Sequence, residues 1–301
     1  MSNVAEQKIF VGNNIDLLKK YPDNFFDSIV TDPPYGLGKE PNAEEMLQAW
    51  ITTGYLEVKG TGFMGKEWDA FIPQPIFWKE VFRVLKHGGH VVSFFGTRTY
   101  DWGVMSMRLA GFEIRDCIQW LYGSGFPKSH NISKAIDKMH GAKREVVGEK
   151  DGTYADIKRN SETGIDSLHG GDAAKQRERI KVSITAPSTD QAKEWDGWGS
   201  SLKPANEPIV LARKPLEKGL SIAENVLKWG TGAINIDASR ISVSENDKNH
   251  RENSSQGNSG ENSIFGVGGH NGNLQQEGRF PSNVILTHHP ECKCLGLKKV
   301  K

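Results

Sequence analysis

Asp32, Pro33, Pro34 and Tyr35 follow directly on a short apolar run, Ser28 to Val30, and are followed by Gly36. Two adjacent prolines cannot extend a sheet ladder, and each biases the residue before it towards extended geometry. The result is a stiff loop holding a carboxylate, a carbonyl and an aromatic ring. Such a set suits one difficult substrate, the exocyclic amine of a nucleobase. That amine is a poor nucleophile because its lone pair is delocalised into the ring. A rigid Asp32 carboxylate and the Pro33 carbonyl could accept both amine hydrogens and draw the lone pair out of conjugation, while Tyr35 offers a flat face for an extruded base. A methyl sulfonium donor placed opposite would complete an in-line transfer by positioning and electrostatics alone. The plainer reading of Asp-Pro-Pro is a turn capped by its aspartate; the strand before it and Tyr35-Gly36 after it favour the chemical one.

A strand must position that loop, and the apolar run reads as one that is buried. Ligands in open α/β sheets lie beyond the carboxyl ends of strands. Before it, Lys8 to Val11 reads as a further short strand, and Gly12-Asn13 leads into an amphipathic turn, Ile15 to Leu18. After it, Pro75 to Leu85 carries a helical stripe that ends at His87-Gly88-Gly89, with Gly88-Gly89 as a helix stop. His90 to Gly96 reads as a buried strand, Thr97 to Ala110 as a helix stopped by Gly111, and Phe112 to Tyr122 as a strand. Strand and helix alternating at this spacing mean a doubly wound α/β sheet.

With those residues in place, the chain resembles the S-adenosylmethionine-dependent DNA amino-methyltransferases, which modify adenine N6 or cytosine N4. Asp32-Pro33-Pro34-Tyr35 is similar to their catalytic motif, and the likeness includes Val11 to Leu18 and Tyr21-Pro22-Asp23-Asn24 and runs on to about Leu286. The motif lies near the amino terminus, as in the permuted order where the catalytic half precedes the cofactor half. The resemblance implies a Rossmann-like methyltransferase sheet, base flipping, double-stranded DNA as substrate and S-adenosylmethionine as methyl donor. It implies Asp32, Pro33, Pro34 and Tyr35 as catalytic residues, and Gly12, Asn13 and Asp32 beside the cofactor. The family more often has Gly-Asp at Gly12-Asn13, so Asn13 keeps hydrogen bonding without the charge; a plain turn reads as well there. Aspartate at the head of the motif favours adenine N6 over cytosine N4, and weighs against a protein-glutamine methyltransferase, whose motif opens with asparagine.

Gly36 to Phe71 has glycines, no long periodicity and the aromatics Trp50, Tyr55, Phe63 and Trp68. It suits a lid over the flipped base, with Ala43 to Trp50 as a helix inside it. Lys128, Lys134, Lys138, Lys143 and Arg144 surround the helix expected over Ile132 to His140, against Asp137 as the one acidic residue between 128 and 144. That basic patch suits phosphate contacts, as it also suits a solvated helix face. From Glu145 to Glu194 the periodicity fades, consistent with a target-recognition insertion, where Lys158, Arg159, Asn160, Gln176 or Arg177 could read bases. Lys203 to Pro208 returns the chain to the sheet through a strand at Ile209 to Arg213. Glu207 there either orients the catalytic loop or caps a turn. Ile222 to Leu227 reads as a helix and Asn283 to Leu286 as a strand.

Residues 241–278 are rich in Ser, Asn, Gly, Gln and Glu and cannot bury a core. Their Phe265 to Gly269 looks like a cofactor loop but lacks the strand before it and the helix after it. The expected organisation is a catalytic part over 1–122, a basic connector and recognition insertion over 123–200, a return to the sheet over 201–240, a low-complexity loop over 241–280, and a strand with polar tail over 281–301. The permuted family carries a strand, Asp-Pro-Phe and then a Gly-x-Gly that opens a helix near its carboxyl terminus, and nothing here matches that arrangement. The sheet is therefore expected to be incomplete, with the catalytic strand an exposed apolar edge. The chain would be a truncated product, or a catalytically incomplete DNA-binding subunit that needs a second polypeptide to supply the cofactor loop.

Composition sets outer bounds. At 301 residues, 37% hydrophobic and 25% charged, the chain can bury a real core. No run approaches a membrane span and Met1 to Gln7 is no signal peptide. A net charge of +1 means that any DNA-binding face is local. Three cysteines argue against a disulfide framework and for the cytoplasm. His288, His289, Cys292 and Cys294 lack usual zinc spacing, so no metal is expected.

Overall fold

The computed structural model describes residues 7–36, 38–58, 60, 69–123, 125, 129–151, 181–241, 278 and 280–287. Two compact units emerge: Met1–Gly123 with Ala205–Lys301, and Ser124–Pro204.

The first unit runs α1 (Asn14–Leu18), β1 (Phe26–Thr31), α2 (Ala43–Thr52), α3 (Pro75–Val84), β2 (Leu85–Phe94), α4 (Tyr100–Leu109) and β3 (Glu113–Tyr122). The second holds α5 (Ile132–Met139), β4 (Val146–Asp151), β5 (Lys181–Thr185) and α6 (Asp190–Glu194). The chain then returns to the first with β6 (Asn206–Arg213), α7 (Ile222–Trp229) and β7 (Val284–Thr287). This is an α/β fold with a Rossmann-like sheet in the order β1-β2-β6-β3-β7. β1 pairs parallel with β2 and β3 with β7, while β6 runs antiparallel between β2 and β3. Four strands thus point one way, and their carboxyl ends form one rim.

Apolar periodicity explains the core. Pro75 starts α3 at a position where its missing N–H costs nothing, and Trp78, Val81 and Val84 recur on its buried face. Trp78 and Val81 join Met46 and Trp50 of α2, Met107 of α4, Val91, Val210 and Ala212 from the sheet, and Phe95 just past β2. Trp50 is 1% exposed, its indole N–H donating to Gln74 Oε1 at 2.9 Å. It is therefore a core residue of the first unit, contrary to its expected place in a lid; Phe63 and Trp68 lie outside the described residues.

Other expectations shift for local reasons. The strand expected at Lys8–Val11 does not form; Ile9, Phe10 and Val11 are exposed, and among the described residues no strand lies beside them to share a ladder. β2 begins at Leu85, so Gly88 and Gly89 lie inside it, not in a loop that stops α3. The β1–β2 register shifts between Phe26 and Ser28, and a Cβ on Gly89 would stand 2.9 Å from Asp27 O. Glycine lets the strands close there. β1 itself is half open: Ile29 is partly buried, whereas Val30 is 71% exposed. Among the described residues β1 pairs with β2 alone.

In the second unit β4 and β5 form an antiparallel pair where periodicity had suggested no element. Residues 152–180, with Lys158, Arg159, Asn160, Gln176 and Arg177, lie outside the described residues, as do most of 241–278 and the residues His288, His289, Cys292 and Cys294. Among the described residues no helix is long and apolar enough to cross a membrane, and no cluster of three or more His, Cys, Asp or Glu could hold a metal.

Candidate active site at the sheet rim

Asp32 leaves the carboxyl end of β1 exposed, and Pro33 behind it is buried. The backbone of the loop is pinned from three sides. Thr99 Oγ1 donates to the Tyr35 carbonyl at 2.6 Å. The Gly36 N–H donates to Asp69 Oδ1 at 3.3 Å, and Asp69 is itself 5% exposed. Gly36 holds φ at +64°, and a Cβ there would stand 3.0 Å from Ile72 N and 3.2 Å from Phe71 Cα. Only glycine combines that backbone with that approach. Two prolines, a left-handed glycine and two side-chain hydrogen bonds leave the loop little freedom.

The Tyr35 ring packs against the β2 exit, 3.5 Å from where a Cβ on Gly96 would stand. Its hydroxyl donates to Glu207 Oε2 at 3.2 Å. Glu207 sits in β6, opposite Trp120 of β3. Tyr122, two residues further along β3, also hydrogen-bonds the Glu207 carboxylate. Burial, Asp32 and Glu207 all push the Tyr35 hydroxyl far above its ordinary value, so it stays protonated. Burial and then Glu207 raise Tyr122 likewise. Tyr35 has one proton to give. Glu207 takes it at 3.2 Å, and the Asp32 carboxylate also faces the hydroxyl.

The rim is rich in aromatic rings and acceptors. Trp120 stands edge-on to Phe94 at 6.3 Å and tilted on Tyr122 at 5.5 Å, and its N–H donates to Thr287 Oγ1 at 2.6 Å. Two buried oxygens flanking the rim, Ser93 Oγ and Asn206 Oδ1, have no hydrogen-bond partner. Ser93 is the register partner of Thr31, immediately before Asp32, and Asn206 immediately precedes Glu207. Buried polar atoms without partners are uncommon and concentrate at functional sites. The arrangement can hold a flat ligand that presents hydrogen-bond donors.

Of the candidate cofactor residues, Asp32 lies in this loop, and Gly12 and Asn13 stand at the start of α1. Asn13 caps α1, its Oδ1 accepting from Ile15 N at 3.0 Å and Asp16 N at 3.3 Å, with Gly12 and Asn13 exposed. The capping oxygen is committed; the carboxamide N–H2 group faces no such demand.

The candidate DNA-contacting residues divide within the second unit. Lys134, Lys138 and Lys143 are exposed, and Lys128 lies outside the described residues. Arg144 turns inward: its side chain is 11% exposed and pairs with Asp137, 2% exposed, at 2.7 Å. The guanidinium also donates to Ser133 Oγ and to Thr185 Oγ1 and O. Asp137 accepts from Ser188 N, Thr189 N and Thr189 Oγ1. Arg144 thus ties α5 to β5 and to the start of α6. The sequence pattern could not separate it from its neighbours, because an inward and an outward cation look alike in a charge run. Thr99 and Tyr122 were missed; the signal available for Tyr122 was a polar-tipped ring at the end of an apolar strand, where open sheets bind ligands.

Comparison with known proteins adds to this geometry. The DNA methylase family, N6_N4_Mtase, matches residues 26–299. The type II methyltransferase M.HindIII of Haemophilus influenzae is 24% identical over 245 residues, 75% of this chain and 64% of that protein. M.HpaI of Haemophilus parainfluenzae is 29% identical over 136 residues, 44% of this chain and 38% of that protein. The chain therefore spans less than two thirds of the length of either relative. A proposed DNA modification methylase of known structure from Thermus thermophilus is similar with a TM-score of 0.31 and 16% identity, over 70% of this chain and 55% of that one.

Proposed function

The chain belongs to the N6/N4 DNA methylase family, and from that premise we propose that its β1 loop methylates the exocyclic amine of a base flipped out of double-stranded DNA, adenine N6 foremost. The observation that carries this reading is the exposed Asp32 carboxylate at the end of a rigid loop, beside a Tyr35 hydroxyl that donates to Glu207 and also faces Asp32. Asp32 and the Pro33 carbonyl accept the two amine hydrogens, which localises the nitrogen lone pair for attack. Tyr35 stacks the base. A carbon–nitrogen bond forms as the donor's carbon–sulfur bond breaks, and the surplus amine proton leaves by way of Asp32 to water.

S-adenosylmethionine supplies an electrophilic methyl group when bound. The chain offers a partial fit to it: the Asp32 carboxylate suits the sulfonium charge, and Gly12 with the Asn13 N–H2 group suits a polar nucleoside. The two type II relatives support a role in restriction–modification. Lys134, Lys138 and Lys143 serve as phosphate contacts, with Arg144 building the unit that presents them.

A second reading is favoured by the open edge of β1. Val30 is 71% exposed and Ile9 and Val11 are above 90%. A further polypeptide that lays a strand along β1 would cover them and complete the donor site. Two measurements separate the readings. Incubating the chain with S-adenosylmethionine and unmethylated DNA, then digesting the DNA for nucleoside mass spectrometry, should yield N6-methyladenine; N4-methylcytosine would move the target to cytosine. Calorimetry of S-adenosylmethionine with the chain alone should give micromolar affinity if the donor site is complete. No binding would favour the second reading, and donor binding without any methylated nucleoside would overturn the first.

A further inference from the structure

We propose that Glu207 is the positioning residue of the base platform: its carboxylate, shared by the hydroxyls of Tyr35 and Tyr122, sets the plane of the Tyr35 ring. This rests on the reading of Tyr35 as the face on which the base stacks, and adds a residue from outside the motif.

The backbone of Tyr35 is fixed by Thr99 Oγ1 at 2.6 Å and by the neighbouring Gly36–Asp69 bond. Those contacts hold the main chain and leave the ring able to turn about its own side-chain torsions. Gly96 borders one side of the ring near Cβ and Cδ2, which limits the motion without choosing an end point. Contacts at the hydroxyl, the far tip, have the longest lever on ring orientation: Asp32 faces it from the ring's own loop, and Glu207, at 3.2 Å, holds it from another strand. The Glu207 bond is charge-assisted, and such bonds are among the stronger ones a side chain makes.

Glu207 is itself well anchored. It lies inside β6, whose ladder with β3 sets Glu207 opposite Trp120 and Asn206 opposite Leu121. Just beyond, Tyr122 N–H donates to Ala205 O at 3.0 Å. The Tyr122 hydroxyl then holds the carboxylate from the β3 side. A central strand of the sheet thus dictates the angle of a ring in the loop after β1, 172 residues apart in sequence. The bond requires an acceptor at position 207, which aspartate is too short to supply and glutamine can supply.

The test reads ring position without requiring methyl transfer. A random-sequence DNA duplex pool carrying 5-iododeoxyuridine is irradiated with the full chain, and crosslinked residues are mapped by mass spectrometry. Wild type should crosslink at Tyr35. Glu207→Ala should lower the Tyr35 yield by about tenfold, in line with the loss of one charge-assisted hydrogen bond. DNA affinity and the thermal midpoint should stay near wild type. Glu207→Gln should restore most of the yield. Tyr35→Phe, which keeps the ring and loses the hydroxyl, should lose at least as much as Glu207→Ala, and the double variant should lose no more than Tyr35→Phe. Equal yields in wild type and Glu207→Ala would overturn the positioning role while leaving the platform intact. A loss in Glu207→Ala that Glu207→Gln does not restore, or that falls equally on DNA affinity, would overturn it too. If wild type gave no crosslink at Tyr35, the platform reading itself would fall, and this role with it.

Discussion

Replacing Gly36 with alanine should remove about 3 kcal/mol of stability from the first unit and displace the Asp32–Tyr35 loop. The left-handed backbone, φ +64°, costs a residue with a Cβ about 1–2 kcal/mol. The atoms in the way, Ile72 N at 3.0 Å and Phe71 Cα at 3.2 Å, belong to the backbone of a buried segment and cannot rotate aside. Overpacking of that kind adds about 1–3 kcal/mol. Stiffening the unfolded chain returns about 0.4–1 kcal/mol. Gly230 supplies an internal reference. It caps α7 with φ +74° and nothing within 4 Å of its missing Cβ. Gly230→Ala should therefore cost only about 1 kcal/mol. Urea unfolding followed by near-ultraviolet circular dichroism of the Trp50–Phe71–Trp102 cluster measures both. If the two glycines proved equally costly, the close approach of Phe71–Ile72 to the loop would not constrain it, and the rigidity assigned to the site would be wrong.

The second unit supplies two further predictions. Burial alone would raise the Asp137 carboxyl, but hydrogen bonds from Thr189 and Ser188 and the Arg144 charge outweigh it and hold the group at about 2. An unperturbed aspartate titrates near ~3.9, so the unfolded unit takes up a proton first as pH falls. Stabilisation from Asp137 is full above pH ~4 and lost as pH drops towards 2. Hydrogen exchange of the β4–β5 amides should therefore accelerate across that window in wild type and depend much less on pH in Asp137→Asn; identical profiles would remove the carboxylate from that role. Among the cations, replacing Lys134, Lys138 and Lys143 together by glutamine should weaken binding to any DNA sequence and lower the salt slope by roughly 0.9 per lost contact. Arg144→Gln should instead loosen the unit, seen as faster exchange in β5. A salt slope unchanged in the triple variant would place the DNA elsewhere.

How much was legible in the sequence depended on whether the signal was local. Asp32-Pro33-Pro34-Tyr35, the Pro75 helix start and the strand–helix alternation are local chemistry, and α3, α4, β3 and α5 lie close to where periodicity puts them. The departures have tertiary causes. Lys8–Val11 has strand composition, yet a strand needs a neighbour, and none of the described residues provides one. Gly88-Gly89 reads as a helix stop because glycines usually mark ends, whereas here Gly89 lies against the register shift at Phe26–Ser28 and Gly88 makes room for Asn225 and Gly232. Trp50 looked like a lid aromatic because its stretch lacks long periodicity; the contacts that bury it come from Phe71 and Trp102. The inward turn of Arg144 depends on Thr185 and on an Asp137 held by Ser188 and Thr189, far along the chain. The same holds for the rim: Glu207 was visible as a polar residue at a strand start, but its bond to Tyr35 spans 172 positions, and no local pattern encodes it.

The most direct test of the central claim is methyl incorporation by wild type and Asp32→Ala, with labelled S-adenosylmethionine, unmethylated genomic DNA and parallel DNA-binding curves. Asp32 is exposed at the end of β1, so its truncation should leave the fold and DNA affinity intact. Loss of one preorganised partner of the reacting group costs on the order of 10²–10³ in rate, and the wild-type label should reside in N6-methyladenine. A variant that methylates DNA at close to the wild-type rate would contradict the assignment of Asp32, and with it the mechanism built on this loop.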